Sequence, residues 1–224
     1  VSLPVFKAMG AGSETAPAWP AGHAAGDFGL LCVEVANAGT DIATPSGWTK
    51  LAGCPILRGA NAHLTLFYRF ATSGSETAPS IAGSSDHAWG VIYTATGVNQ
   101  TNPIHSITTL WSTGNRVDSA GMTTYLEDCL ILSIFGYHID NAGPVSSGET
   151  NASLSSLTER YDAGTTTNTG GGIVIIEGGL ATPGTIDPTN VTFTPSGNAT
   201  SAVVALQAAG RSFGMKSRIV NTRM

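Results

Sequence analysis

Apolar residues fall in short runs separated by clusters of Gly, Pro, Ser, Thr and Asn, and no run sustains a helical period. About ten segments read as strands: residues 4–8, 28–35, 48–52, 64–72, 88–96, 123–137, 156–161, 172–177, 191–194 and 202–207. In LTLFYRFA, Leu64, Leu66, Tyr68 and Phe70 occupy every second place, the pattern of a half-buried antiparallel strand. LLCVEV and GGIVIIE are more continuously apolar, as central strands covered on both faces should be. Only SSLTERYD competes as a short helix, and it reads equally well as a strand. Frequent turn signals without intervening helices predict an all-β fold, an antiparallel β-sandwich of jelly-roll or Greek-key type.

Two repetitions refine this picture. The hexapeptide GSETAP occurs at 12–17 and again at 74–79, and is expected to form two connections at one end of the sandwich. A weaker parallel links DFGLLCVEV, GWTKLAG, LTLFYRFA and WGVIYTATG with DCLILSIFG, SLTERYDAG, GGIVIIEGG and SAVVALQAAG. It predicts one domain over 1–210, built from duplicated halves of about 1–100 and 101–210. Cys32 and Cys129 are then expected as equivalent buried thiols on central strands. With Cys54 the thiols number three, so they cannot all pair within one chain.

Charged residues make up 11% of the chain, less than half the usual share of about 25%, so Ser, Thr, Asn and Gly must cover the surface. A net charge of −5 argues against nucleic acid as a partner. Neither a membrane span nor a signal peptide is read from the sequence. The sequons at Asn99, Asn151, Asn190 and Asn198 are expected to reflect composition rather than glycosylation. Four of the ten basic residues lie in the last 14 positions, with no acidic residue among them. The upstream chain therefore carries six basic against fifteen acidic residues, a net −9. Residues 211–224 read either as a solvated terminus or as an arm that binds a partner through Arg211, Lys216, Arg218 and Arg223 together with Phe213, Met215 and Ile219.

Catalytic and metal motifs are not found. The histidines, His23, His63, His87, His105 and His138, form no HExxH, and no CxxC or GxSxG exists. Asp86-His87 and His138-x-Asp140 are the close His/carboxylate pairs, and each falls at an expected strand end where a polar rim residue is ordinary. Glu34, Asp27, Glu127, Asp128, Glu159 and Glu177 could in principle supply a glycosidase pair, although Asp27 and Asp128 more plausibly bond their own turns. The expectation is no enzyme, no cofactor and no metal. Among the aromatic residues, Trp48 and Trp89 read as plugs at strand starts, while Trp19 and Trp111 are the better candidates for exposure and for stacking on a glycan.

The succession AGHAAGDFGLLCVEV, TPSGWTKL, LTLFYRFAT, SDHAWGVIYTATGV, DCLILSIFGY, LTERYDAG, GGGIVI and SAVVALQ resembles a family of bacteriophage and prophage proteins labelled as structural or tail-associated. The likeness spans residues 19–207 and rests on turn and core features, so it transfers no catalytic residue. It implies a structural component of a tailed-phage virion, made in the bacterial cytoplasm and bound to other virion proteins and to copies of itself. As capsid decoration, tail or fibre protein it would act by protein–protein contacts. The alternative is a carbohydrate-binding module recognising host-surface glycans. The basic arm departs from the family pattern.

Overall fold

The structure is a computed structural model that describes residues 2–36, 42–58, 62–81 and 86–210. Its described strands are β1 (Val5–Met9), β2 (Phe28–Ala36), β3 (Thr49–Lys50), β4 (Ile56–Arg58), β5 (Ala62–Phe70), β6 (His87–Thr96), β7 (Ile104–Asp118), β8 (Met122–Thr124), β9 (Cys129–His138), β10 (Ser146–Thr150), β11 (Ser155–Thr165), β12 (Gly171–Leu180), β13 (Gly184–Ile186) and β14 (Asn190–Leu206). Two six-stranded antiparallel sheets pack face to face, so the antiparallel β-sandwich expected from the sequence is what forms.

The first sheet runs β1-β6-β2-β5-β3, with β4 also on β5, and the second runs β10-β14-β9-β12-β11, with β7 on β14. Each sheet is therefore made from one half of the chain. The orders β6-β2-β5-β3 and β14-β9-β12-β11 put the segments paired by the sequence parallel at matching places. Alternation along the strands decides what the sheets share. Phe28, Leu30 and Cys32 from β2 meet Leu130, Leu132 and Ile134 from β9 in the inter-sheet core, together with Ile173, Ile175 and Val204. Cys129 has the opposite parity and lies on the outer face of the second sheet beside Met122 and Ile186. Cys32 and Cys129 are thus both buried and outside any disulfide, but they occupy opposite faces and are not equivalent.

Both sheets are also covered on the outside, which explains their nearly continuous apolar runs. Trp19, Ile42, Trp48 and Ile81 lie over Leu31, Val33, Phe67 and Ile92 of the first sheet. The two GSETAP segments belong to this cover: Ile81 N–H donates to Thr15 O (2.9 Å), and Ser13 bridges to Gly90. They line the outer face of a sheet rather than serving one end of the sandwich. On the second sheet, Phe193 and Val117 cover Phe135 and Val174, and the two-stranded β8–β13 sheet covers Ile131 and Val203.

Several strands differ from expectation. The segments 191–194 and 202–207 belong to one long β14, and the expected 123–137 is divided into β8 and β9. Strands β4, β7, β10 and β13 lack a clear sequence signature because they are short or lie at an edge. In β7, ITTLWSTGN carries Thr, Ser and Asn on both faces, since its middle is exposed rather than sandwiched.

Candidate functional site

The most unusual chemistry is a carboxylate inside the sandwich. Glu34 follows Phe28, Leu30 and Cys32 on the inward face of β2, and its side chain is fully buried. His87, at the start of β6, lies one diagonal step away, because β2 and β6 pair Ala36 with His87 and Glu34 with Trp89. His87 Nε2–H donates to Glu34 Oε2 at 2.9 Å, and His87 Nδ1 is 3.7 Å from Asp86 Oδ2. Asp86 is held in turn by Thr169, whose N–H donates to Oδ2 at 3.1 Å and whose hydroxyl donates to the same atom. From the second sheet, the His138 ring stacks on His87 at 6.2 Å between centroids and 10° between planes.

Glycines in the facing sheet provide the space. A Cβ on Gly171 would overlap His87 Nε2 and Glu34 Oε2, and one on Gly136 would come within 3.2 Å of Glu34 Cγ. The electrostatics follow from burial. Removal from water pushes the Glu34 carboxyl up to about 7, with the His87 bond opposing, and Oε1 has no hydrogen-bond partner among the described residues. For His87, burial disfavours the charged ring, but Glu34 and then Asp86 outweigh it and hold its pKa above the ordinary value. His138 is pushed the other way, first by burial and then by the charge on His87, so it stacks as a neutral ring.

The two His/carboxylate pairs visible in the sequence therefore meet at one end of the sandwich, around a glutamate that sequence spacing did not connect to them. A lone Glu within an apolar central-strand run was its one signal. Among the described residues, no group of three or more His, Cys, Asp or Glu is placed to hold a metal ion. The remaining examples are structural. His23 Nδ1–H donates to Pro20 O (2.8 Å) while its Nε2 accepts from Glu76 N–H (3.1 Å), and His105 Nε2 accepts from Tyr125 N–H (3.1 Å). Asp27 accepts from Ala24 N–H within its own turn, as expected, and also pairs with Lys7 at 2.6 Å.

Further polar contacts join the sheets along β6. Trp89 Nε1–H donates to Tyr161 OH (3.1 Å), and Tyr93 OH donates to Glu177 Oε2 (2.6 Å). Arg160 pairs with the other Glu177 oxygen and lies 4.2 Å over the Phe6 ring.

The two tryptophans expected to be exposed separate. Trp19 is only 7% exposed, packed on Trp48 at 5.4 Å and against Gly29, because the segment preceding β2 is folded onto the outer face of the first sheet. It is not available for glycan stacking. Trp111, on β7, is 55% exposed. The expected arm residues Arg211, Phe213, Met215, Lys216, Arg218, Ile219 and Arg223 lie outside the described residues. The body closes just before them, where Ala209 N–H donates to Gly97 O at 2.7 Å.

Surface depressions lie away from the buried array. One of about 390 Å³ is lined by Lys50, Tyr68 and His105, and one of about 500 Å³ by Gly97, Asn99, Gln100 and Gly210. Set against known proteins, the chain matches no family model, no curated protein and no solved structure.

Proposed function

We propose that the chain is a non-enzymatic structural component of a tailed-phage virion, working through contacts with other virion proteins. The observation that carries the non-enzymatic part is the burial of Glu34 and His87. Their side chains are shielded completely from solvent, so this pair binds the body together and is not presented to a substrate. The virion setting rests on the resemblance over residues 19–207. A sandwich covered on both faces of both sheets supports a structural role, since little apolar surface is left to rearrange.

In this reading residues 211–224 are the anchor. Deleting them should leave the melting temperature of the body unchanged and abolish incorporation into particles, measured by electron microscopy of virions assembled with and without the arm. Assembly of the truncated chain at wild-type occupancy would refute the anchor. A glycan-binding reading retains one observation, the exposure of Trp111, and a glycan array on the wild type and on Trp111→Ala tests it.

A further inference from the structure

We infer that the β11–β12 hairpin is an acid-released flap: its tip, residues 165–169, is strapped to the first sheet through Glu14 and Asp86, and protonation of these two carboxylates frees it while the sandwich stays folded. The inference concerns the body alone and does not depend on the virion setting.

The hairpin joins β11 to β12, and its turn carries no apolar side chain to anchor it. Residues 164–172 read GTTTNTGGG, and 166–169 are exposed. Hydrophobic burial therefore contributes little to holding the tip, and polar bonds must do so. Glu14 follows the Ser13–Gly90 bridge to β6, and its Oε1 accepts from the hydroxyls of both Thr165 and Thr167. Asp86 immediately precedes β6. Its Oδ2 accepts from the Thr169 N–H (3.1 Å) and from the Thr169 hydroxyl, and its backbone carbonyl accepts from Asn168 Nδ2. Both straps thus come from the first sheet and close on a turn of the second. Gly171, at the base of that turn, lies against His87 and Glu34, so the strapped tip borders the buried pair.

The groups around the straps set the direction of the response. Bonds from Thr165 and then Thr167 hold the Glu14 carboxyl below its ordinary value of 4.5, and the Thr169 hydroxyl is the first cause holding Asp86 below 3.8. A carboxyl depressed in this way contributes stability above its unfolded pKa and loses it as pH falls through its folded one. His87 faces both carboxylates and His138 faces Asp86, so positive charge on these rings keeps the straps ionised to lower pH. His138 also bonds the Gly170 backbone, and Asp140 packs against Gly170, but both lie on the hairpin's own side and do not tie it to the first sheet. Glu34 and His87 respond in the opposite sense to the straps, with both proton affinities raised. Acid therefore releases the tip while the pair behind it still joins β2 to β6, and the opening is local rather than global.

The test is hydrogen exchange of the full-length chain at about pH 6.5 and about pH 2.5, divided at each pH by the intrinsic rate, with Glu14→Gln/Asp86→Asn as the variant. The amides keep the shape and an accepting oxygen but do not titrate. The readout is direct, since Thr169 N–H is bonded to a strap and the N–H groups of Thr167 and Gly170 are bonded within the turn. In the wild type, protection over 165–171 is expected to fall at least about fivefold on acidification while β2 and β9 keep theirs. In the variant the same amides should show less than half of that change, and its melting temperature at neutral pH is the folding control. Should the double variant not fold, Glu14→Gln and Asp86→Asn are read singly, each expected to remove part of the response. Three results would overturn the inference: tip protection equal at the two pH values; loss of the tip together with β2 and β9, which is global acid unfolding; or an undiminished response in the variants. None of these bears on whether the chain is found in virions.

Discussion

Nε2 of His87 lies 2.9 Å from Oε2 of Glu34, and neither side chain touches solvent. A carboxylate in an inter-sheet core would ordinarily be costly, and here one imidazole supplies its bond while two facing glycines supply its space. The pair fixes β6 to β2 at the end where the sheets also meet through the His87–His138 stack.

The arrangement has a definite pH signature. The groups facing His87 are Glu34 from β2, Asp86 beside it, His138 from β9 and Glu14 from the covering segment. Glu34 is raised from 4.5 to about 7 and His87 is also raised, so the folded state holds these protons more tightly than the unfolded one. Their contribution to stability is greatest at low pH and is lost as pH rises through the window from about 4.5 to 7 and above. Glu34→Gln removes the carboxyl and, with it, the main partner that raises His87. Urea denaturation from pH 5 to 8 should show the variant gaining on wild type by about 3 kcal/mol as pH rises. Parallel profiles for the two proteins would contradict the assignment.

Gly171 makes a steric prediction at the same place. Gly171→Ala places a methyl group against the fully buried side chains of His87 and Glu34, one of which must shift to make room. Overpacking of this kind typically costs about 1–3 kcal/mol. Gly184→Ala is the control, since no atom lies within 4 Å of its added Cβ, and it should stay within about 0.5 kcal/mol of wild type. Equal effects for the two in chemical denaturation would show that the array has room to relax.

The central strands were legible because burial on both faces writes a continuous apolar run, as in β2, β9 and β12. Strand β7 was not, because an edge strand with exposed Thr and Ser has no apolar alternation to reveal it. Asp86-His87 and His138 could be seen as polar pairs, but Glu34 stands 53 residues before His87 and joins it only through the β2–β6 register. That register is a tertiary fact with no local signal. Trp19 was misread for the same reason: a residue before Pro20, outside any strand pattern, is buried by a segment that folds over a sheet face.

The two tryptophans should consequently behave in opposite ways. Trp19→Ala opens a cavity over Gly29 and Trp48 and should cost about 3–5 kcal/mol in equilibrium denaturation. Trp111→Ala, at an exposed position, should change the stability of the monomer by less than about 0.5 kcal/mol. Similar losses for both would mean that Trp111 is packed in solution.

The last prediction concerns the contact that ties β6 to β12. Burial, and then the neighbouring Glu177, push the Tyr93 phenol well above its ordinary pKa, so it remains a neutral donor to Glu177 Oε2. Arg160 supplies the balancing charge on the other oxygen while its guanidinium covers Phe6. Tyr93→Phe deletes one bond and leaves the ion pair, for an expected loss of about 1–2 kcal/mol. Arg160→Met keeps much of the packing on Phe6 but strands a buried carboxylate, and should cost more, about 3 kcal/mol. Adding Glu177→Gln to Arg160→Met removes the stranded charge, so the double variant should be more stable than Arg160→Met alone. The double-mutant cycle in urea measures this directly, and a coupling near zero would mean that Arg160 contributes only its contact with Phe6.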